Sequence, residues 1–478
     1  MSEVRTRFAP SPTGFLHIGG VRTALFAWLM AKHSNGVFIL RFEDTDKQRE
    51  VEGAKQHLID CLNILGINYD EGPGKGGDYG PYVQSERLDI YKRWAEKLVA
   101  DGRAYADPYT QEEVQSFRDQ AQREKKPFLY RNHRPENTKP WDGSTPLRFR
   151  SDPKAYTWHD EVMGDLSTEA GVIDDFILMK RDGYPTYNFA HIVDDAEMKI
   201  THVMRGQEFL ASVPNYLNLY EALNLSPPIL ATLPHVMGPG GGKKLSKRDG
   251  AKDVLDYIRD GYLPDALVSF IATLGWNDGT EKEIYSRQEL IDTFSIDRIQ
   301  KSGAQFDERR LLWTNGTFIR QLPLDNLYEK VEGYWTESAQ SYDEAYKKKV
   351  LSLVQERLKY FAELPTLTNF FFEDLPIDMD LIHSHKQLKN MDNDEIIKLL
   401  RQSRETIEQA SFDGDALSNA LNGLLESTGQ KPVVLFSLIR IATTSAPASP
   451  SLADTILVLG KERSLSRIDS WLNELDKK

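Results

Sequence analysis

Between residues 4 and 42 a strand pattern, a helix pattern and a second strand pattern follow one another with no hairpin turn between them. That order confines the start of the chain to a parallel sheet with covering helices, because parallel neighbours need a crossover. Val4 to Ala9 reads as a strand, Val21, Ala24, Leu25, Trp28 and Leu29 recur at helical spacing from Gly19, and Val37-Phe-Ile-Leu-Arg-Phe42 reads as a second, mostly buried strand. The link from strand to helix, Pro10-Ser-Pro-Thr-Gly-Phe-Leu-His17-Ile18-Gly19-Gly20, puts a histidine and paired glycines at a helix start. Such a turn lets backbone N–H groups approach an anion, and the helix terminus adds roughly 0.3–2 kcal/mol per anion contact. Asp46 is placed to cap the next helix, which ends near Gly66; another, around Tyr91 to Ala100, stops at Asp101-Gly102.

At 478 residues the chain exceeds what one hydrophobic core organises, so it divides into several domains. The irregular stretch 107–186, with its charged helix Gln111 to Lys125 and its polar loop through Pro135, Pro140 and Pro146, reads as an insertion between two halves of one α/β fold, 1–106 and 187–253. In the second half Tyr187 to Val193, Ile200 to Met204 and Ile229 to Val236 read as strands, with a helix near Val213 to Leu223. Helical patterns dominate from Val254 onward, with a boundary at 322/323 that separates 254–322 from 323–478.

A net charge of −13 excludes a general nucleic-acid binder, so any nucleic-acid surface must be local. No run of 18 apolar residues is present, the longest candidate, Val433 to Ala442, being broken by Arg440, and Met1 to Pro10 lacks an apolar signal core. The expected location is cytoplasmic and the expected state monomeric. The one cysteine, Cys61, falls on the apolar side of a helix with Leu58, Leu62 and Leu65 and is read as buried packing.

Far along the chain, Gly242-Lys243-Lys244-Leu245-Ser246-Lys247-Arg248 crowds cations into a glycine-flanked loop that can close over a leaving pyrophosphate. His17 suits hydrogen bonding to phosphate as charge builds in a transition state. Gly72-Pro-Gly74-Lys-Gly-Gly77 has dinucleotide-fingerprint spelling but leads into Asp78-Tyr-Gly-Pro81 rather than a helix, and the glycines before Lys243 lack Walker spacing. Arg7, Ser11 and Glu43 sit at strand carboxyl ends, where α/β sheets bind ligands.

The His17 and Lys243-to-Arg248 elements, with Arg41-Phe-Glu43-Asp-Thr-Asp46 and Asp182-Gly-Tyr-Pro-Thr-Tyr187, resemble the HIGH and KMSKS elements and flanking motifs of class I aminoacyl-tRNA synthetases, in their bacterial glutamyl branch. The resemblance implies a Rossmann-like catalytic domain, an inserted α+β acceptor-binding domain, a helical stem-contact region containing Leu311-Leu-Trp313-Thr-Asn315-Gly316 and an all-α anticodon-binding region. It implies L-glutamate and ATP as substrates, Mg²⁺ arriving with ATP, tRNA(Glu) as partner, transfer to the terminal 2′-OH, and activation that waits for bound tRNA. His17, Lys244 and Lys247 carry over as catalytic residues; Gly19, Gly20, Glu208 and the backbone of Val236 carry over as further ATP contacts. Arg7, Ser11, Glu43, Tyr187 and Arg205 carry over as the glutamate pocket. Glu43 suits the substrate ammonium, while either Arg7 or Arg205 suits a carboxylate. Glutamine would leave a buried arginine poorly paired at roughly 3–5 kcal/mol, more than a hundredfold in selection.

Gly20 stands where the motif's name has a second histidine, removing one side-chain donor. Ala104-Tyr-Ala-Asp-Pro108 lacks the cysteines with which some members hold zinc in the insertion, so no protein-bound metal is expected. Arg357, Lys359, Lys386, Lys389, Lys398 and Arg401, with Tyr360, Phe361 and Phe370 to Phe372, offer phosphate contacts and stacking faces to tRNA, or alternatively a solvated face and core aromatics.

Overall fold

A computed structural model describes residues 3–137, 139–245 and 252–477. The chain forms two compact units, Met1–Ile258 with Pro264–Leu311, and Arg259–Leu263 with Leu312–Lys478.

In the first unit β1 (Arg5–Phe8) pairs in parallel with β2 (Val37–Leu40) across the crossover helix α1 (Ile18–His33). Eight apolar side chains of α1, from Ile18 through Leu29, are at most 5% exposed, which is why this helix holds its place on the sheet. After β2 come α2 (Ala54–Ile64), α3 (Leu88–Ala100) and β3 (Ala104–Ala106). The insertion adds α4 (Gln111–Arg123), opened by a capping box between Thr110 and Glu113, then β4 (Leu147–Phe149), β5 (Tyr156–Asp160), β6 (Gly164–Thr168) and β7 (Ile177–Met179). β3, β4 and β7 make an antiparallel sheet in that order. The chain returns through α5 (Tyr187–Glu197), β8 (His202–Gly206), α6 (Val213–Ala222), β9 (Ile229–Leu233) and β10 (Val236–Met237). β8 and β9 are parallel, β5 and β6 extend that sheet, and Thr201 N donates to Arg5 O at 2.9 Å, which brings β1 beside the start of β8.

Two local expectations are corrected. Tyr187 to Val193 is helical, not a strand. Its run Phe189-Ala-His-Ile-Val193 is buried all round, so the period that tells helix from strand is hidden, and the β-branched Ile192 and Val193 point the wrong way. Asp46 makes no side-chain cap; a short 3₁₀ turn, Lys47–Arg49, follows it and the helix begins only at Ala54. The intervening segment is tied down by Val51 N on Pro12 O, and Lys47 and, from α2, Lys55 both donate to Asp44.

Every regular element described in the second unit is helical. Asn393–Gln409, Gly414–Thr428, Pro432–Thr444, Leu452–Leu459 and Lys461–Leu475 enclose a core that includes Leu399, Leu438, Ile456 and Trp471. Arg467 ties helix ends together by donating to the carbonyls of Thr443, Phe370 and Glu373. Phe361 and Phe370 to Phe372 are buried and Tyr360 stacks on Tyr262, so these aromatics are core rather than stacking faces. Lys386, Lys389, Lys398 and Arg401 are exposed.

Candidate active site

Beyond the carboxyl end of β1 a cleft of about 530 Å³ opens, with Ser11, His17, Gly20, Glu208, Val236 and Lys244 on its walls. His17 is the extended residue before α1, and its Nδ1 accepts a hydrogen bond from Gly19 N at 3.1 Å. A neutral imidazole that accepts at Nδ1 carries its proton on Nε2, so Nε2 is the donor of this ring. The Gly19 N–H thus orients the His17 ring at the helix start. At Gly20 a Cβ would come within 2.7 Å of Leu16 Cδ1, so the glycine lets Leu16 sit buried under the helix start.

Also lining the cleft, Glu208 Oε1 lies 3.3 Å from Lys244 Nζ, and Glu208 Oε2 lies 3.7 Å from His235 Nδ1. Partial burial raises the Glu208 carboxyl, but its own backbone N–H and Lys244 outweigh this and hold it below the usual range; burial and Lys244 lower His235. Val236 O accepts from Leu245 N at 2.8 Å, which seats the first part of the lysine loop against β10. His17 and Lys244 thus share one cleft. Lys247 lies outside the described residues. Arg22, a buried cation lining the same cleft, donates to the carbonyls of Pro234 and Leu274, and burial lowers it to about 10. Sequence reasoning missed it because its partners are backbone carbonyls far along the chain.

A buried cluster of charge gathers around Asp194 and Asp195 of α5. Asp195 receives Arg7 Nε at 3.2 Å and Arg41 Nη1 at 2.8 Å; Arg41 Nη2 also donates to Glu43 at 2.9 Å. Asp194 receives Arg87 at 2.7 Å, Gln84 at 2.8 Å and the Tyr91 hydroxyl at 2.9 Å. Burial raises Glu43 against the pull of Arg41 and Arg7, while the same two arginines overcome burial at Asp195 and lower it. Tyr187 feels Glu43, Arg205 and Arg7, and it stacks on Phe209 at 5.1 Å. Arg205 is 8% exposed and lies over Phe209 and Tyr216. Among the described residues it has no carboxylate partner. Burial, with Arg205 beside it, lowers His191 to about 3, so the ring is neutral and donates from Nδ1 to Tyr187 O at 2.7 Å.

Of the five expected glutamate contacts, Arg7, Glu43, Tyr187 and Arg205 meet in this cluster, and Ser11 stands on the cleft wall, joined to them through Glu43 N on Pro10 O at 3.0 Å. The missed residues are Arg41, Asp194 and Asp195. Their signal was present: two adjacent acids inside the apolar run Ile192-Val-Asp194-Asp195, and an arginine inside a buried strand.

The family profile described as tRNA synthetases class I (E and Q), catalytic domain, matches residues 3–313, and an anticodon binding domain profile matches 326–472. The chain is 39% identical over 476 residues to a glutamate--tRNA ligase of Dehalococcoides mccartyi, covering 98% of this chain and 96% of that one. It is 40% identical over 485 residues to a glutamate--tRNA ligase of Clostridium botulinum, covering 99% of each. A crystal structure of a glutamate tRNA ligase from Elizabethkingia meningosepticum in complex with its amino acid superposes with a TM-score of 0.87 at 32% identity, over 99% of this chain and 100% of the other.

Proposed function

Since the chain belongs to the class I tRNA synthetases, in the glutamate--tRNA ligase family, we propose that this cleft joins L-glutamate to AMP at the expense of ATP and passes the glutamyl group to tRNA(Glu). The observation that carries the reading is the combination of Arg205, a buried guanidinium with no carboxylate partner among the described residues, and a cleft that holds His17 and Lys244 and is lined by Arg205's chain neighbour Gly206. A buried cation left without a partner is costly, and a substrate carboxylate supplies the partner.

In the first step the α-carboxylate of glutamate attacks the α-phosphorus of ATP, and pyrophosphate leaves. His17, from Nε2–H, and the ammonium groups of Lys244 and Lys247 stabilise the negative charge that moves onto the phosphate oxygens. Gly20, Glu208 and the Val236 backbone frame the nucleotide. Glu208 is the carboxylate on the cleft wall and is paired to Lys244, so Mg²⁺ arriving with ATP is held by phosphate oxygens and water. Arg205 takes a substrate carboxylate and Glu43 takes the ammonium. Arg7 donates from Nε and Nη2 to Asp195 and from Nη1 to Met204 O, and the second N–H on each Nη serves the second carboxylate. In the second step the terminal 2′-OH of tRNA attacks the adenylate carbonyl and AMP leaves.

We assign 107–186 to the acceptor end of tRNA, 254–322 to its stem and 323–478 to the anticodon, in a monomeric cytoplasmic enzyme. The match to an anticodon binding domain over 326–472 supports this reading over a tRNA-base-modifying relative that lacks such a region. ATP–pyrophosphate exchange tests the whole: it should require glutamate and rise sharply with tRNA(Glu). Exchange driven only by another amino acid overturns it.

A further inference from the structure

His57 and Cys61 stand four residues apart on α2 and so share one face of the helix. Asp253, from a segment distant in sequence, reaches the same face: His57 Nε2 is 2.9 Å from Asp253 Oδ1 and 2.8 Å from Oδ2. Cys61 Sγ is 3.7 Å from His57 Nδ1 and 3.8 Å from Nε2. The nitrogen, sulfur and oxygen donors lie within 4.8 Å of one another, and this is the one such triad among the described residues. Cys61 is fully buried, while the His57 and Asp253 side chains are 13% and 17% exposed, so the cluster has a dry sulfur end and a wet oxygen end.

Either half of this arrangement has an ordinary explanation alone, since a histidine–aspartate pair needs no thiol and a buried cysteine needs no partner. The convergence of all three matches the donor set of a three-ligand site whose fourth position is water. Metal–donor distances of about 2.0–2.3 Å at tetrahedral angles give donor–donor edges of roughly 3.2–3.6 Å. With His57 Nε2 as the ligand, its 3.8 Å distance to Cys61 Sγ is close to that, the His57–Asp253 hydrogen bond opens by about half an ångström, and the sulfur–oxygen edge, within 4.8 Å, closes by up to about an ångström to admit the ion. Hard cations such as Mg²⁺ and Ca²⁺ want oxygen donors and are a poor fit to a thiolate and an imidazole. The expectation of no bound metal rested on a cysteine-free insertion and on one cysteine being too few for a cysteine-built site, whereas this cluster asks for a single thiolate.

We propose that His57, Cys61 and Asp253 form a binding site for one divalent transition-metal ion of the zinc class, with the Cys61 proton released to solvent on binding. The site lies at a junction. Asp253 follows the lysine loop in sequence by a few residues and bridges His17 through the backbone, Val254 N donates to Leu16 O at 3.2 Å, and Leu58, next to His57, lines the cleft. An ion here joins α2, the start of α1 and the segment at Asp253 that precedes Val254.

The test is titration of the metal-stripped full chain with Co²⁺. One equivalent should produce a thiolate-to-cobalt charge-transfer band with d–d bands of four-coordinate intensity, all displaced by Zn²⁺. Cys61→Ser, nearly isosteric, should abolish the charge-transfer band. Asp253→Asn should keep that band, and each variant should weaken Zn²⁺ binding by about tenfold or more in competition with a chromophoric chelator. Absence of the band in the unaltered chain, or unchanged Zn²⁺ affinity in either variant, overturns the proposal.

Discussion

Arg205→Gln separates a binding role from a structural one, because the two predict opposite signatures. In the protein alone Arg205 is buried, has no carboxylate partner among the described residues, and contacts the rings of Phe209 and Tyr216. Its replacement forfeits two cation–π contacts, each about 0.5–1 kcal/mol, and relieves the desolvation of an unpaired charge, so net stability changes by about 1 kcal/mol or less in either direction. With glutamate bound the ledger reverses: the substrate carboxylate loses its charged partner inside a buried pocket, at about 3–5 kcal/mol. At about 1.4 kcal/mol per factor of ten this is a loss of roughly a hundred- to several-thousand-fold in kcat/KM for glutamate. ATP–pyrophosphate exchange with saturating tRNA(Glu) measures the loss, and thermal unfolding of the same preparation measures the stability. A loss below tenfold, or a variant that unfolds far more easily than the parent, refutes the assignment.

Asp195→Asn should show the converse, costing about 3–5 kcal/mol in urea unfolding, because it strips the shared carboxylate from Arg7 and Arg41 in the core. Lys244→Ala removes only a half-exposed pair with Glu208, so stability should move by less than about 1 kcal/mol while the activation rate falls; Lys247→Ala should likewise lower that rate far more than ATP binding, and equal losses in both would contradict the assignment. His191 is held near 3 in the fold, below its ordinary 6.5. Its neutral burial therefore contributes stability that is complete above 6.5 and is lost as pH falls toward 3, and His191→Gln should flatten that part of the stability–pH curve measured by chemical unfolding. A Cβ at Gly36 would lie 2.1 Å from the Val4 carbonyl oxygen, which is backbone and cannot swing away, so Gly36→Ala should destabilise the first unit by about 1–3 kcal/mol in thermal unfolding.

The start of the fold was legible because its signals are local. The helical spacing of Val21, Ala24, Leu25, Trp28 and Leu29 and the apolar run at Val37 are set by which face each element must bury, and α1, β1 and β2 follow them within a residue or two. Tyr187 to Val193 was misread because a segment buried on every side carries no face to read. Asp46 was misread because its neighbours Lys47 and Lys55 are drawn to Asp44, a competition that short-range capping rules do not contain.

The candidate site divides the same way. Residue types and spacing alone determined that a histidine opens a helix, that cations crowd one loop, and that arginine, serine and glutamate stand at strand ends. Tertiary structure decided which of these groups are already engaged. Arg7 is held by Asp195, Gly19 N–H donates to the His17 ring and Glu208 pairs with Lys244, whereas Arg205 has no carboxylate partner among the described residues. It also gathered His57, Cys61 and Asp253 into one cluster. Pairing depends on distance in three dimensions, and a buried charge acquires its meaning only from the partner that the fold brings, or does not bring, within hydrogen-bond reach.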